Sequence, residues 1–148
     1  MELQRVNRTD PERIFVVVKN TYSTASLSAN QWVAWDTLTD EDGVGVTKPD
    51  DPGTLCAVAG VVVETIAHGD YGLIQVYGYR SSAYISRSTE KATAAGVELE
   101  LLNANWGLSP VGGAISNGQY KCFAFLCEAV TSSASASYTT AKVFVRAL

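Results

Sequence analysis

Histidine occurs once in the 148 residues, methionine once, and cysteine three times. No stretch approaches the ~18 consecutive apolar residues of a membrane-spanning helix. A lone histidine leaves little for a triad, no GxSxG elbow is present, and no CxxC pair offers metal-ligand spacing. Charge is scarce too: 18% of residues are charged, against ~25% in ordinary soluble domains. The eleven Lys and Arg are scattered in a chain of net charge −4. Nucleic-acid binding needs a concentrated basic face, so that class is set aside. A weakly charged surface instead suits a protein that hides part of it against partners.

The start "MELQRVNRTDPER" has no apolar core of signal-peptide length. The expectation is a product made in the cytoplasm, with no membrane anchor and no cofactor. An odd cysteine count in such a product favours free thiols. Cys122 and Cys127 lie five apart on what reads as one strand, so their side chains point to opposite faces and do not pair with each other. Cys122 and Cys127 read as small buried hydrophobes, and the state of Cys56 is left open.

What is present is period-two alternation. Strands are predicted over residues 13–19 ("RIFVVVK"), 31–36 ("QWVAWD") and 55–66 ("LCAVAGVVVETI", with a bulge or bend at Gly60). Further strands follow over 71–80 ("YGLIQVYGYR"), 83–87 ("AYISR") and 97–102 ("VELELL"). The last two cover 121–130 ("KCFAFLCEAV") and 141–148 ("AKVFVRAL"). Residues 89–95 could form a helical turn or two before Gly96. The chain therefore predicts an all-β domain: a small antiparallel β-sandwich or barrel of about eight strands with long loops. Residues 1–12 form an extended N-terminal arm and 13–148 a single domain.

Two long loops interrupt the pattern. Residues 36–53 carry six acidic residues, one lysine, two prolines and three glycines. Leu38 and Pro49 stand where an EF-hand would place ligands, so this stretch reads as a solvated loop and not a calcium site. Residues 131–140, "TSSASASYTT", read as a low-complexity connector. His68 and Asp70 lie in "ETIAHGDYG", between two strand patterns, with Gly69 and Gly72 supplying positive-φ positions. Acid–base catalysis would need a partner for the histidine in a water-excluded cleft. The segment reads as a hairpin tip, and the protein as a non-enzyme.

That hairpin carries a resemblance. "AVAGVVVETIAHGDYGLIQVYG" resembles the strand–turn–strand unit of head decoration (cement) proteins of tailed bacteriophages, in which "I-x-x-G-D-x-G" precedes a valine-rich return strand. "VVVKNTYSTASLSANQWVAWD", "TEKATAAGVELEL" and "FLCEAVTSSASASYTTAKVFVRAL" are similar to the early hairpin, central return and final hairpin of that plan. The resemblance spans residues 14–148 apart from the acidic loop and "NANWGLSPVGGAISNGQ". A faint internal echo accompanies it. Val63-Glu64-Thr65-Ile66 and Cys127-Glu128-Ala129-Val130 each end a strand before a small-residue loop and a valine-rich strand, as two halves of one barrel or sandwich would.

The resemblance implies a structural virion protein on the outer capsid surface, bound to the major capsid protein and stabilising joints between its subunits. It also implies self-association as a homotrimer, with a dimer as the alternative, and no nucleic-acid or membrane partner. The alternatives in function are a phage tail or fibre-attachment module and a carbohydrate-binding β-sandwich. The capsid-contact candidates are Leu3, Arg5, Val6 and Arg8 of the arm. Trp32, Trp35, Tyr77 and Tyr79 are candidates for the subunit interface, since aromatics dominate such surfaces. No residue is assigned to catalysis or metal binding.

Overall fold

Among the described residues the alternating pattern becomes nine strands and no helix. The computed structural model describes residues 12–23, 25–40, 42–49, 57–87, 93–101, 105–111, 123–131 and 137–147. The strands are β1 (Arg13–Asn20), β2 (Trp32–Trp35), β3 (Gly45–Thr47), β4 (Val58–Val62) and β5 (Tyr71–Arg87). They continue with β6 (Glu98–Leu101), β7 (Leu108–Pro110), β8 (Ala124–Leu126) and β9 (Ser137–Arg146).

Their pairing closes two rings. One runs β1–β3–β2–β4–β5 and closes because β1 also pairs β5; the other runs β5–β7–β6–β8–β9 and closes because β9 also pairs β5. The sense of every pairing repeats. β1–β3 and β5–β7 are parallel, and all the other ladders are antiparallel. Local hydrogen bonds repeat as well. Leu27 and Ile66 exchange two main-chain bonds of 2.9 Å, and Thr93 and Val130 exchange two of 2.8 Å. Asn30 N–H donates to Val62 O (2.9 Å) as Gly96 N–H does to Leu126 O (2.7 Å), with φ at 72° and 87° respectively. The chain is one five-stranded unit built twice, with the 17-residue β5 ending the first copy and starting the second. The echo between residues 63–66 and 127–130 marks equivalent positions in the two units.

Each barrel holds its own core. Val18, Val33, Val46, Val62, Ile74 and Val76 fill the first, and Ile85, Leu99, Leu108, Leu126, Val143 and Val145 the second. Side chains alternate across a strand, so β2 and β4 also have outward residues. Trp32, Val58 and Val61 point out of the first barrel and join the second core. Their burial turns two small barrels into one body.

Several expectations change. Residues 71–80 and 83–87 form one strand, because β9 pairs on both sides of Ser81 and Ser82 and absorbs them as a bulge between Arg80 and Ala83. The acidic loop contains β3, and Asp36 at its start is buried. β7 lies in the stretch of 103–119 that matched no pattern, and Ser137–Thr140 belong to β9 and not to a connector. Thr93 makes an isolated strand bridge where a helical turn was expected. Gly60 does sit at a bulge: Val33 pairs Gly60 while Ala34 pairs Val58, and a Cβ there would lie 2.5 Å from the Gln75 carbonyl oxygen. Gly72 is needed for space, not for a positive φ, since a Cβ would come within 2.5 Å of Ile66 Cγ1.

Candidate functional site

β1 and the first half of β5 face solvent with apolar side chains on their outer side. Val16, Val18, Ile74 and Val76 turn inwards, which by strand alternation turns Phe15, Val17, Leu73 and Gln75 outwards. Val17 pairs Leu73 directly, and Lys19 pairs Tyr71. Val17 remains 59% exposed and Tyr71 64%, with Phe15 at 42% and Leu73 at 37%. Single exposed apolar residues are ordinary, but a contiguous strip on paired strands marks an interaction surface.

Each end of the strip opens into a depression. At one end Arg13, Phe15, Gln75 and Arg80 line a cleft of about 190 Å³. Arg80 is held there by neutral acceptors: Nε donates to Ser82 O (2.7 Å), and Nη2 to Asn30 Oδ1 (2.9 Å) and Val62 O (2.8 Å). Burial and the nearby Arg13 charge both lower its pKa. Gln75 is buried although it points outwards. Its Nε2 donates to the carbonyls of Tyr77, Gly78 and Tyr79 at 3.1, 3.2 and 3.1 Å, fixing the backbone where β5 passes between barrels.

At the other end Lys19, Asp40, Asp42 and Tyr71 line a hollow of about 330 Å³. Asp36 beneath it is fully engaged. It accepts from the Thr21 hydroxyl at 2.6 Å, from the Thr39 hydroxyl, and from the Thr39 N–H at 3.1 Å. Burial raises its pKa, but these hydrogen bonds outweigh burial and hold it below the usual value. The group is a structural turn, and among the described residues no cluster of three or more His, Cys, Asp and Glu could hold a metal ion.

His68 lies exposed at the hairpin tip, where Gly69 takes φ 81° and Asp70 N–H donates to Ala67 O at 3.1 Å. The tip is tied to β1, since Gly69 N–H donates to Asn20 O and Asn20 N–H to Asp70 O. Among the described residues His68 has no hydrogen-bond or ion-pair partner that could make it an acid–base group.

The four aromatic candidates are not gathered on one surface. Trp32 is enclosed in the joint between barrels, 0% exposed, which corrects its assignment to an interface between subunits. Trp35 is half-buried against the first core. Tyr77 packs edge-on to Phe144, with ring centroids 5.3 Å apart, and Tyr79 is half-buried two residues on. Leu3, Arg5, Val6 and Arg8 lie outside the described residues, as do Cys56 and Cys122. Cys127 is a free, exposed thiol and not the buried hydrophobe expected. Sequence reasoning missed Phe15, Val17 and Leu73. The signal was a strand apolar on both faces, which a small barrel can bury on only one.

No protein-family model matches the chain, and no curated protein matches it. Among solved structures it is similar to the N-terminal base of head fibre gp8.5 of bacteriophage phi29. The identity is 10% and the TM-score 0.46, over 92% of this chain and 96% of that one.

Proposed function

We propose that this is a structural, non-enzymatic protein of a tailed-phage virion. It binds the outer surface of the capsid and braces joints between major capsid protein subunits. The class of the reading rests on the hairpin order of the sequence, which resembles that of head decoration proteins. Its mode rests on the bare apolar strip of Phe15, Val17, Tyr71 and Leu73. Such a surface works by area burial, about 25 cal/mol per Å² removed from water, and requires no reacting group. Trp106, a possible sugar platform, is packed edge-on by Tyr22 at 5.1 Å and capped by Lys48 at 5.4 Å. With Trp32 enclosed as well, this disfavours a carbohydrate-binding module.

In this reading the protein acts as a homotrimer at local three-fold positions. The arm of residues 1–12 reaches the neighbouring shell through Leu3, Arg5, Val6 and Arg8. Linked weak contacts gain ~10²–10⁴-fold in apparent affinity. The test mixes purified protein with undecorated shells and images them by electron microscopy. Added density at subunit joints on the outer surface, weakened by deleting residues 2–10, is the expected result. Density at the tail vertex alone would replace this reading with a tail module, and shells left bare would remove it.

A further inference from the structure

Among the described residues, Phe15 and Val17 have no neighbouring strand on one side of β1. Main-chain N–H directions alternate along an extended strand. Asn20 N–H donates to Asp70 O at 3.0 Å, on the β5 side. Lys19 N–H donates to Val44 O at 2.9 Å and Thr21 N–H to Val46 O at 3.0 Å, on the β3 side. The same alternation turns the N–H and C=O of Phe15 and Val17 towards β3. β3 stops short of them, because it begins at Gly45 opposite Lys19. Among the described residues, nothing is bonded to Phe15 or Val17 on that side.

Exposed edges are normally blunted by lysine, proline or a bulge of the edge strand, because they invite pairing with another chain. From Phe15 to Val17 this edge carries none of them, and both these side chains are exposed. The second barrel shows what the unit does with the same line. There Tyr84 stands where Lys19 stands in the first, and it is covered by the first barrel. Its N–H donates to Asn30 O at 2.9 Å and its carbonyl accepts from Trp32 Nε1 at 3.0 Å. At that position the first barrel uses its own β3, through Lys19 N–H, and among the described residues the stretch left unpaired lies further back, from Phe15 to Val17.

We propose that the β1 edge from Arg13 to Val17 is a strand-addition site for an extended segment of another protein, one that sets a carboxylate beside Arg13 and apolar side chains beside Phe15 and Val17. The carboxylate follows from charge. Arg13 is exposed, forms no ion pair among the described residues, and is backed by the Arg80 guanidinium. A second copy fits poorly. Two β1 strands paired antiparallel about Phe15 place Val17, not an acid, against Arg13. Docking as the first barrel docks on the second puts Glu98 where Trp32 is enclosed, and a carboxylate in an apolar joint is unfavourable. Strand addition gains affinity from main-chain bonds and selectivity from alternate side chains. This inference stands on the strand edge alone and holds whether or not the capsid reading does.

The test uses the full chain and three fluorescein-labelled peptides: SETVTVTS, the lysine counterpart SKTVTVTS, and the interrupted SETPTPTS. Anisotropy reads affinity, and amide hydrogen exchange by NMR reads the site. The acidic peptide should bind at least ten-fold tighter than the lysine one, with exchange slowed at Phe15 and Val17, and the interrupted peptide should not bind. Arg13→Glu should invert the charge preference. Val17→Pro removes an N–H the fold does not use and should abolish binding; Val17→Lys serves as a second variant should proline disturb the barrel. Equal binding of the acidic and lysine peptides, binding without protection of the two amides, or no binding at millimolar peptide would overturn the proposal. So would protection of those amides by self-association without peptide.

Discussion

Trp32 donates its indole N–H to the main-chain carbonyl of Tyr84, 3.0 Å away and 52 residues along the chain. The bond crosses from β2 of the first barrel to the β5 segment of the second, within the joint that Val58 and Val61 also fill. Trp32→Phe keeps most of the volume and strands the carbonyl, so it should cost about 1–3 kcal/mol. Trp32→Ala also opens a cavity, and about 3–5 kcal/mol is expected. Urea titration followed by fluorescence and circular dichroism should show one shared transition in each variant. Two separated transitions would mean that the barrels fold independently.

Asp36 predicts acid sensitivity. Burial raises its pKa, while hydrogen bonds from Thr21, Thr39 and the Leu38 main chain lower it further, leaving it below the reference 3.8. A depressed folded pKa contributes stability above the unfolded pKa, and that contribution is lost as pH falls through the folded value. Urea midpoints at pH 6 and pH 3 should therefore differ more for the wild type than for Asp36→Asn. Equal differences would show that the carboxylate is not linked to folding.

Gly78 and Gly69 separate two kinds of glycine. Both have positive φ, 98° and 81°. A Cβ at Gly69 meets nothing within 4 Å, whereas at Gly78 it collides with the Glu12 carbonyl. Gly69→Ala should cost about 1–2 kcal/mol from backbone strain alone. Gly78→Ala should cost clearly more, measured as the shift in thermal midpoint of the two variants side by side.

Cys127 should react with a disulfide reagent in the folded protein, since it is exposed. Partial burial and the neighbouring Glu128 charge raise its pKa, so the rate at pH 8 should fall below that of an unperturbed thiol. Glu128→Gln should speed the reaction. Denaturation without reductant should release three reactive thiols; fewer would reveal a disulfide.

The all-β class was legible because alternation survives wherever one face is wet. "VELELL" shows it, with Glu98 exposed and Leu99 and Leu101 buried. β3 and β7 were not legible. They are three residues each, too short for a period to register, and long-range pairing places them. Nor was the unbroken course of β5, because Ser81 and Ser82 look like a turn until β9 spans them. The repeat left only the trace at 63–66 and 127–130: barrel cores accept any apolar residue of suitable size, and Trp32 and Glu98, at equivalent positions, meet opposite surroundings. The strip on β1 and β5 escaped notice because apolar periodicity says which residues share a face, not which face a neighbour will cover.

β5 also decides where the first and last of the described strands lie. Arg13, the first residue of β1, pairs Gly78; Arg146, the last of β9, pairs Tyr77. The two lie on opposite edges of the same strand at its midpoint, about 10 Å apart at the usual inter-strand spacing. A linker of a few residues could join them, at roughly 3.3 Å per residue. The domain is thus suited to circular permutation, with new ends opened at the His68 tip, and to insertion whole into a surface loop of a host protein. Anything fused at Arg13 and anything fused at Arg146 would emerge side by side from the waist of the molecule.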